Sequence, residues 1–250
     1  MGKVYLVGAG PGAPDLLTVR AVRLLESADI VLHDALVHPE TLALAPHARK
    51  IDVGKRYGKV STEQRFIHRA LIEAARTHHT VVRLKGGDPM LFGRAQEELE
   101  ALREAGIEVE VVPGITAALA AAATLQVSLT QRGIARSVAF LTPRVGAGQT
   151  ASEWLPAALA ADSAVLYMAA GTSRDVADAL VTAGKPSSTP VALVESASLP
   201  GERRLLTTLA QLQQAELPRA SGPVVMCIGE VFREAAAIDS ILENPNVRTA

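Results

Sequence analysis

The sequence predicts a protein of two α/β domains, and three observations carry that reading. Short β-branched runs alternate with longer stretches whose apolar residues recur at helical spacing. Most of the runs stop abruptly at glycine, proline or charge, as strands do when their carboxyl ends open into ligand-binding loops. Near the end, two strand-like runs, 205–209 and 224–228, lack a long helix between them. That predicts antiparallel additions, and so a mixed sheet in the second half.

Length and composition bound the rest. At 250 residues the chain has room for one large or two smaller domains; 48% hydrophobic and 20% charged residues are the balance of a soluble globular protein with ample core. Net charge is −1, so nothing draws the chain as a whole to nucleic acid or to an anionic membrane, and any basic site must be local. The lone Cys227 sits in an apolar strand run, which excludes an internal disulfide and predicts a buried thiol. No zinc-type spacing exists, so no metal is expected. Neither a secretory start nor an apolar stretch long enough to span a bilayer is seen, and the expected location is the cytoplasm.

In order along the chain, residues 4–7 read as a buried strand emptying into Gly8-Ala9-Gly10-Pro11-Gly12-Ala13-Pro14-Asp15. Asp15 is then expected to cap a helix with Leu17, Ala21, Leu24, Leu25 and Ala28 on one face. The corner is a weak dinucleotide fingerprint: Pro11 breaks it, Gly12 arrives one residue early, and Ala13 replaces the usual glycine. Residues 30–32 form a second strand ending at His33-Asp34, and 50–53 a third ending at Gly54-Lys55-Arg56. Ser61 or Thr62 caps a helix running to residue 75. A strand at 80–84 follows, then a helix over 94–104 closed by Gly106, then a strand at 109–112 that stops at Pro113-Gly114-Ile115-Thr116-Ala117.

A small-residue helix over 117–124 suggests tight packing and marks the change of domain. Strands are expected at 137–141, 164–168 and 191–194, with helices over 153–161 and 174–182. The segment 144–151 is glycine-rich and reads as a mobile loop. The boundaries drawn are 1–114 for the first domain, 115–240 for the second, and 241–250 for a tail with little to bury.

The stretch from Val82 to Arg94 organises the chain. Gly86-Gly87-Asp88-Pro89 denies the strand any regular continuation, and two glycines permit positive φ and close approach of a ligand to the backbone. An ordinary strand-to-helix turn is the competing account. Against it, Lys85, Asp88 and Arg94 crowd charge around a turn that also holds Met90, Leu91 and Phe92, which suits a mixed pocket wall better.

Several segments then agree in order and spacing. Gly8-Ala9-Gly10-Pro11-Gly12 with Asp15-Leu16-Leu17-Thr18, Asp34-Ala35-Leu36-Val37, Val53-Gly54-Lys55-Arg56, Arg83-Leu84-Lys85-Gly86-Gly87-Asp88-Pro89, Phe92-Gly93-Arg94, Pro113-Gly114-Ile115-Thr116-Ala117 and Leu129-Thr130-Gln131-Arg132 together resemble the tetrapyrrole methylases, across roughly residues 3–232. The resemblance implies a dimeric methyltransferase of two α/β domains, binding S-adenosylmethionine in a cleft between them and releasing S-adenosylhomocysteine. It carries methyl-donor contacts to Pro11, Gly86, Gly87, Asp88, Leu91, Thr116, Ala117, Met168 and Ala197. Catalytic positions fall on Asp34 and Lys55, with Arg94, Glu97 and Arg132 on the substrate side.

Within the family, the segments are most similar to those of enzymes that methylate carbon atoms of uroporphyrinogen III. The implied activity is two methyl transfers giving precorrin-2, for sirohaem or cobalamin. Such a substrate carries eight carboxylates, and Lys55, Arg56, Lys59, Arg94, Arg132 and Arg144 could line a site for it. Asp34, Glu97 or an arginine held neutral could take the proton that the substrate sheds, arginine being the poorest choice on acidity grounds. Departures from the family pattern cluster on the substrate side: Ala95-Gln96 stands for a glycine pair, Gln131 for a common histidine, and Pro143-Arg144 for Gly-His; Ala13 also replaces a common acid. Two alternatives stay open. One is a methylase of the same fold acting on a later precorrin or, more remotely, on RNA ribose or a diphthine precursor. The other is a nucleotide-binding oxidoreductase, for which only Gly8 to Gly12 speaks.

Overall fold

Five short apolar runs of the first half pair side by side in one direction. They are β1 (Lys3–Gly8), β2 (Ile30–His33), β3 (Arg49–Asp52), β4 (Thr80–Lys85) and β5 (Val109–Val112), and they form an all-parallel sheet in the order β3-β2-β4-β1-β5. β4 and β1 are central and almost wholly buried, as strands covered on both faces are, although β4 carries Arg83 and Lys85 among its apolar residues. The covering helices are α1 (Val19–Glu26), α2 (Pro39–Ala43), α3 (Gln64–Thr77) and α4 (Ala95–Glu104). Val4 and Leu6 on one face of β1 pack with Leu71 of α3 and Leu102 of α4, while Val7 on the other packs with Ala21 and Leu25 of α1. The computed structural model describes residues 1–54, 64–144, 153–169, 171–214, 220 and 222–235, and the chain divides into two compact units, Met1–Ala117 and Ala118–Ala250.

The cap expected at Asp15 lies three residues further on. Pro14 closes a 3₁₀ turn over Pro14–Leu16, which takes Asp15 out of the helix approach, and Thr18 Oγ1 accepts the Ala21 N–H at 3.1 Å instead. The caps expected at Ser61 or Thr62, the loop after Arg144 and the tail after residue 241 lie outside the described residues.

In the second unit, β6 (Val138–Leu141), β7 (Ser163–Tyr167), β8 (Pro190–Glu195), β9 (Arg203–Thr208) and β10 (Val224–Gly229) are ordered β6-β7-β10-β8-β9. β6 and β7 are parallel; β10 runs antiparallel to both β7 and β8, and β9 antiparallel to β8. The sheet is mixed, as expected, but β10 enters its middle rather than extending its edge. Helices α5 (Ala117–Leu125), α6 (Trp154–Ala160), α7 (Ser173–Thr182) and α8 (Leu209–Gln214) complete the described elements. α2 and α8 escaped the sequence reading because five or six residues are too few to show a helical period. Leu166, Leu180, Leu212, Met226 and Ile228 form the core. Cys227 beside them is fully buried, and burial pushes its thiol up to about 12.

Both units repeat one fastening. Asp29, just before β2, accepts the N–H groups of His79 and Thr80 at 2.9 and 2.8 Å and so ties down the start of β4. Asp162, just before β7, accepts those of Arg136 and Ser137 at 2.9 and 3.0 Å, beside the start of β6. The N–H of Thr80 foremost, and that of Arg136 foremost, hold the two carboxyls below the usual range.

Candidate functional site

In the first unit, the loops leaving β1, β4 and β5 lock together at the carboxyl edge of the sheet. Gly87 N–H donates to Gly10 O at 2.7 Å and Gly10 N–H donates back to Gly87 O at 3.2 Å, an isolated antiparallel bridge just beyond the parallel β1–β4 pair. A Cβ on Gly114 would lie 2.3 Å from Gly87 O and 2.8 Å from Gly8 Cα, so the three loops cross backbone on backbone. Gly87 holds φ +67°, a left-handed value that favours glycine. Asp88 fastens the crossing: Oδ2 accepts the Gly114 N–H at 2.9 Å and Oδ1 the Met90 N–H at 2.8 Å.

The crossing gathers several of the residues named from sequence. Pro11 follows Gly10, Gly86 and Asp88 flank Gly87, and Thr116 Cα lies 3.8 Å from where a Gly87 Cβ would stand, with Ala117 next to it. Asp34 directly follows β2, and the neighbouring Leu36 approaches Gly86. Met90 and Phe92 are exposed and Leu91 is half-buried, so an apolar lip borders the polar loops. Lys55 lies outside the described residues, with Arg56 and Lys59.

Arg94 stands at the head of α4 with φ +54° and holds Glu97 through two parallel bonds, Nε to Oε1 and Nη2 to Oε2, both 2.7 Å. The bond to Arg94 is the main reason that the Glu97 carboxyl sits below its ordinary range. This side-on grip leaves the Nη1 edge of the guanidinium for another carboxylate.

Beneath that pair lies a charge cluster the sequence reading missed. Lys85, expected to crowd charge around the turn, is 3% exposed and points inward; Arg83 and Glu98 are 2% and 1% exposed. Glu98 Oε1 accepts from Arg83 Nε at 3.1 Å and from Lys85 Nζ at 3.0 Å, and Oε2 accepts from Lys85 at 3.1 Å. Arg83 Nη2 continues to Asp34 Oδ1 at 2.5 Å. Desolvation lowers the Lys85 pKa, with Arg83 adding to the effect and Glu98 opposing it. The available signal was the strand itself: two cations on one face of a central strand require buried counter-charge.

In the second unit the named residues lie at strand ends as well. Met168, exposed with φ +59°, follows β7, and Ala197 follows β8 between Ser196 and Ser198 at φ +52° and +72°. Tyr167 and Glu195 pair with Val225 and Val224, so both turns flank the start of β10. Arg132 is exposed in the tight turn closed by Gln131 and Ala135. Five of the six non-glycine residues with positive φ among those described, Phe92, Arg94, Met168, Ser196 and Ser198, thus lie in or next to segments singled out from sequence. Such strain collects at functional sites. An apolar groove between α5 and β6, lined by Leu119, Leu129 and Phe140, contains none of the named residues.

A parallel sheet whose glycine loops converge at its carboxyl ends, beside a strained apolar lip and an arginine, is the arrangement at which open α/β sheets take small ligands. Residues 3–213 match the family described as Tetrapyrrole (Corrin/Porphyrin) Methylases, and the chain belongs to it. It is 45% identical over 240 residues to a uroporphyrinogen-III C-methyltransferase of Synechocystis, covering 94% of this chain and 91% of that one. It is 43% identical to the enzyme of that name from Pseudomonas aeruginosa, covering 93% and 95%. Among solved structures, the uroporphyrin-III C-methyl transferase of Thermus thermophilus complexed with S-adenyl homocysteine superposes with a TM-score of 0.82 at 41% identity, over 93% of this chain and all of that one. No metal-ligating cluster occurs among the described residues, and no described helix is long and apolar enough to cross a membrane.

Proposed function

We propose that this chain transfers methyl groups from S-adenosylmethionine to carbon atoms of uroporphyrinogen III, giving precorrin-2, as a cytoplasmic homodimer. The observation that carries the reading is near-full-length similarity, at 43–45% identity, to C-methyltransferases, in a chain whose glycine loops cross at the carboxyl edge of its parallel sheet. The donor supplies an electrophilic methyl group: its carbon–sulfur bond breaks as a carbon–carbon bond forms, the sulfonium becomes a thioether, and the tetrapyrrole gives up a proton.

Pro11, Gly86, Gly87, Asp88, Leu91, Thr116 and Ala117, with Met168 and Ala197 of the second unit, are the proposed donor contacts. The cradle fits such a group: backbone at Gly86 and Gly87 is open to close approach, and the exposed Met90 and Phe92 border it. Asp88 uses both oxygens to fix the loops, so its effect on the donor acts through their shape. Positioning is the larger share of the rate, since well-oriented reactants gain about 7–11 kcal/mol while a general base contributes about 10²–10⁴-fold. Asp34 and Lys55 are the proposed catalytic groups, with Asp34 or Glu97 taking the proton. Arg94, steadied by Glu97, and Arg132 hold substrate carboxylates, a local answer to a chain whose net charge is −1.

The deciding assay combines purified protein, methyl-labelled donor and uroporphyrinogen III generated anaerobically. Two labels per tetrapyrrole are expected. Turnover of a later precorrin in preference would instead give weight to the departures at Ala95, Gln96, Gln131 and Pro143-Arg144.

A further inference from the structure

The buried cluster under α4 is costly to build. Three buried ionisable groups, Arg83, Lys85 and Glu98, meet with the partly exposed Asp34 where buried apolar side chains of similar volume often serve the fold as well. Its geometry shows what it gains. Arg83 is held on three sides, by Glu98 at Nε, by the Leu84 carbonyl at Nη1 and 3.2 Å, and by Asp34 at Nη2. It therefore has little rotational freedom, and neither has the Asp34 oxygen bound to it. Backbone bonds fix Asp34 from the other direction: its N–H donates to Leu84 O at 3.2 Å, and its carbonyl accepts from Val37 N–H at 3.2 Å. Asp34 Oδ1 is thus committed to Arg83, which leaves Oδ2 for a substrate proton. Glu98 is the anchor of the whole, with Lys85 closing its second oxygen. Because Glu98 directly follows Glu97 on α4, it also sets the phase of the helical turn that carries the Arg94–Glu97 pair.

We propose that Arg83 and Glu98 are positioning residues for methyl transfer: through one buried ion chain they aim the Asp34 carboxylate and register the first turn of α4. Neither touches substrate. The proposal rests on the methyl-transfer reading and deepens it, since it assigns the reach of a catalytic carboxylate to two side chains outside the ligand cradle.

The test is a double-mutant cycle in turnover of uroporphyrinogen III, with Arg83→Lys and Asp34→Asn singly and together, and donor-site integrity read as S-adenosylhomocysteine affinity by calorimetry. A displacement of about 1 Å at a reacting group costs about 10²-fold. Arg83→Lys is therefore expected to lower kcat by about that factor, while KM and S-adenosylhomocysteine affinity stay within about threefold. In the Asp34→Asn background the same substitution should cost under about threefold, because the group it aims is already disabled. Glu98→Gln, nearly isosteric and less disruptive, should reproduce the pattern more weakly, and it serves if Arg83→Lys fails to fold. Equal losses in both backgrounds, or a parallel loss of S-adenosylhomocysteine affinity, would show a merely structural role and overturn the proposal. Wild-type protein that binds S-adenosylhomocysteine yet leaves uroporphyrinogen III unmethylated would overturn the methyl-transfer reading and the positioning role with it.

Discussion

Glu97 and Glu98 are consecutive on one helix, each bound to an arginine, and they belong to different kinds of physics. The Glu97 side chain is 44% exposed and grips a 52% exposed Arg94 with two short bonds; the Glu98 side chain is 1% exposed and shares its oxygens between Arg83 and Lys85. By geometry the exposed pair is the better one. Water decides otherwise: it screens the first pair and would hydrate either partner set free, whereas removing Glu98 leaves the buried Lys85 without its counter-charge and Arg83 with Asp34 alone. A bond length therefore says little about what a charge contributes until its surroundings are counted. The exposed pair is free to serve a ligand, and the buried cluster is free only to hold its neighbours.

The sharpest test of that contrast is Glu98→Ala, expected to cost about 3–5 kcal/mol in urea unfolding because Lys85 loses its counter-charge in the core and Arg83 one of its two. A loss under about 1 kcal/mol would erase the distinction between the two carboxylates. Asp88 lies between the extremes, half-buried and bonded to two backbone N–H groups. Asp88→Ala should cost about 1–3 kcal/mol and lower S-adenosylhomocysteine affinity far more than Gln96→Ala, whose exposed side chain bonds only to Glu100 along the helix. Equal calorimetric affinities for the two variants would break the link between the crossing and the donor.

Arg94→Lys and Arg132→Lys keep charge but lose the planar fork. Each should lower kcat/KM for uroporphyrinogen III by the equivalent of about 1–3 kcal/mol, with donor affinity unchanged. Wild-type kinetics in both would remove the clamp. The smallest stability effect belongs to Glu97→Gln, under about 1 kcal/mol at neutral pH. Since Arg94 depresses the folded carboxyl, the pair stabilises above the unfolded value, about 4.3, and that contribution is lost as pH falls through the lower folded one. Wild type and Glu97→Gln should accordingly converge in stability near the acid end of a denaturation series, and a gap that widens there would contradict the assignment.

The strand ends were legible because glycine, proline and charge interrupt apolar runs in full view of the sequence. The mixed second sheet was legible too, from the lack of a long helix before β10, where only the six-residue α8 stands. What stayed hidden depended on distance along the chain. Arg83 and Glu98 are fifteen residues apart and Arg83 and Asp34 forty-nine, so no local pattern joins them, and Lys85 read as a loop charge for that reason. The cap of α1 was misplaced because an aspartate after proline satisfies the cap rule as well as a threonine three residues later, and only the 3₁₀ turn separates them. Among the candidate site residues, Pro11, Gly86, Gly87, Asp88 and Thr116 are drawn together by backbone that the glycines allow to cross. Met168 and Ala197 were marked by family resemblance alone, since nothing in their local sequence announces a left-handed turn.

Cys227 gives the protein a clock. It is the one thiol in the chain, fully buried in the central strand of the second sheet, and desolvation keeps it protonated at any ordinary pH. A disulfide reagent in solution can react with it only when that strand is uncovered, so the rate of thiol labelling counts openings of the second unit, one molecule at a time, with no engineered probe. Followed with and without S-adenosylhomocysteine, the labelling rate would report whether a ligand of the first unit's glycine crossing also slows the breathing of the second.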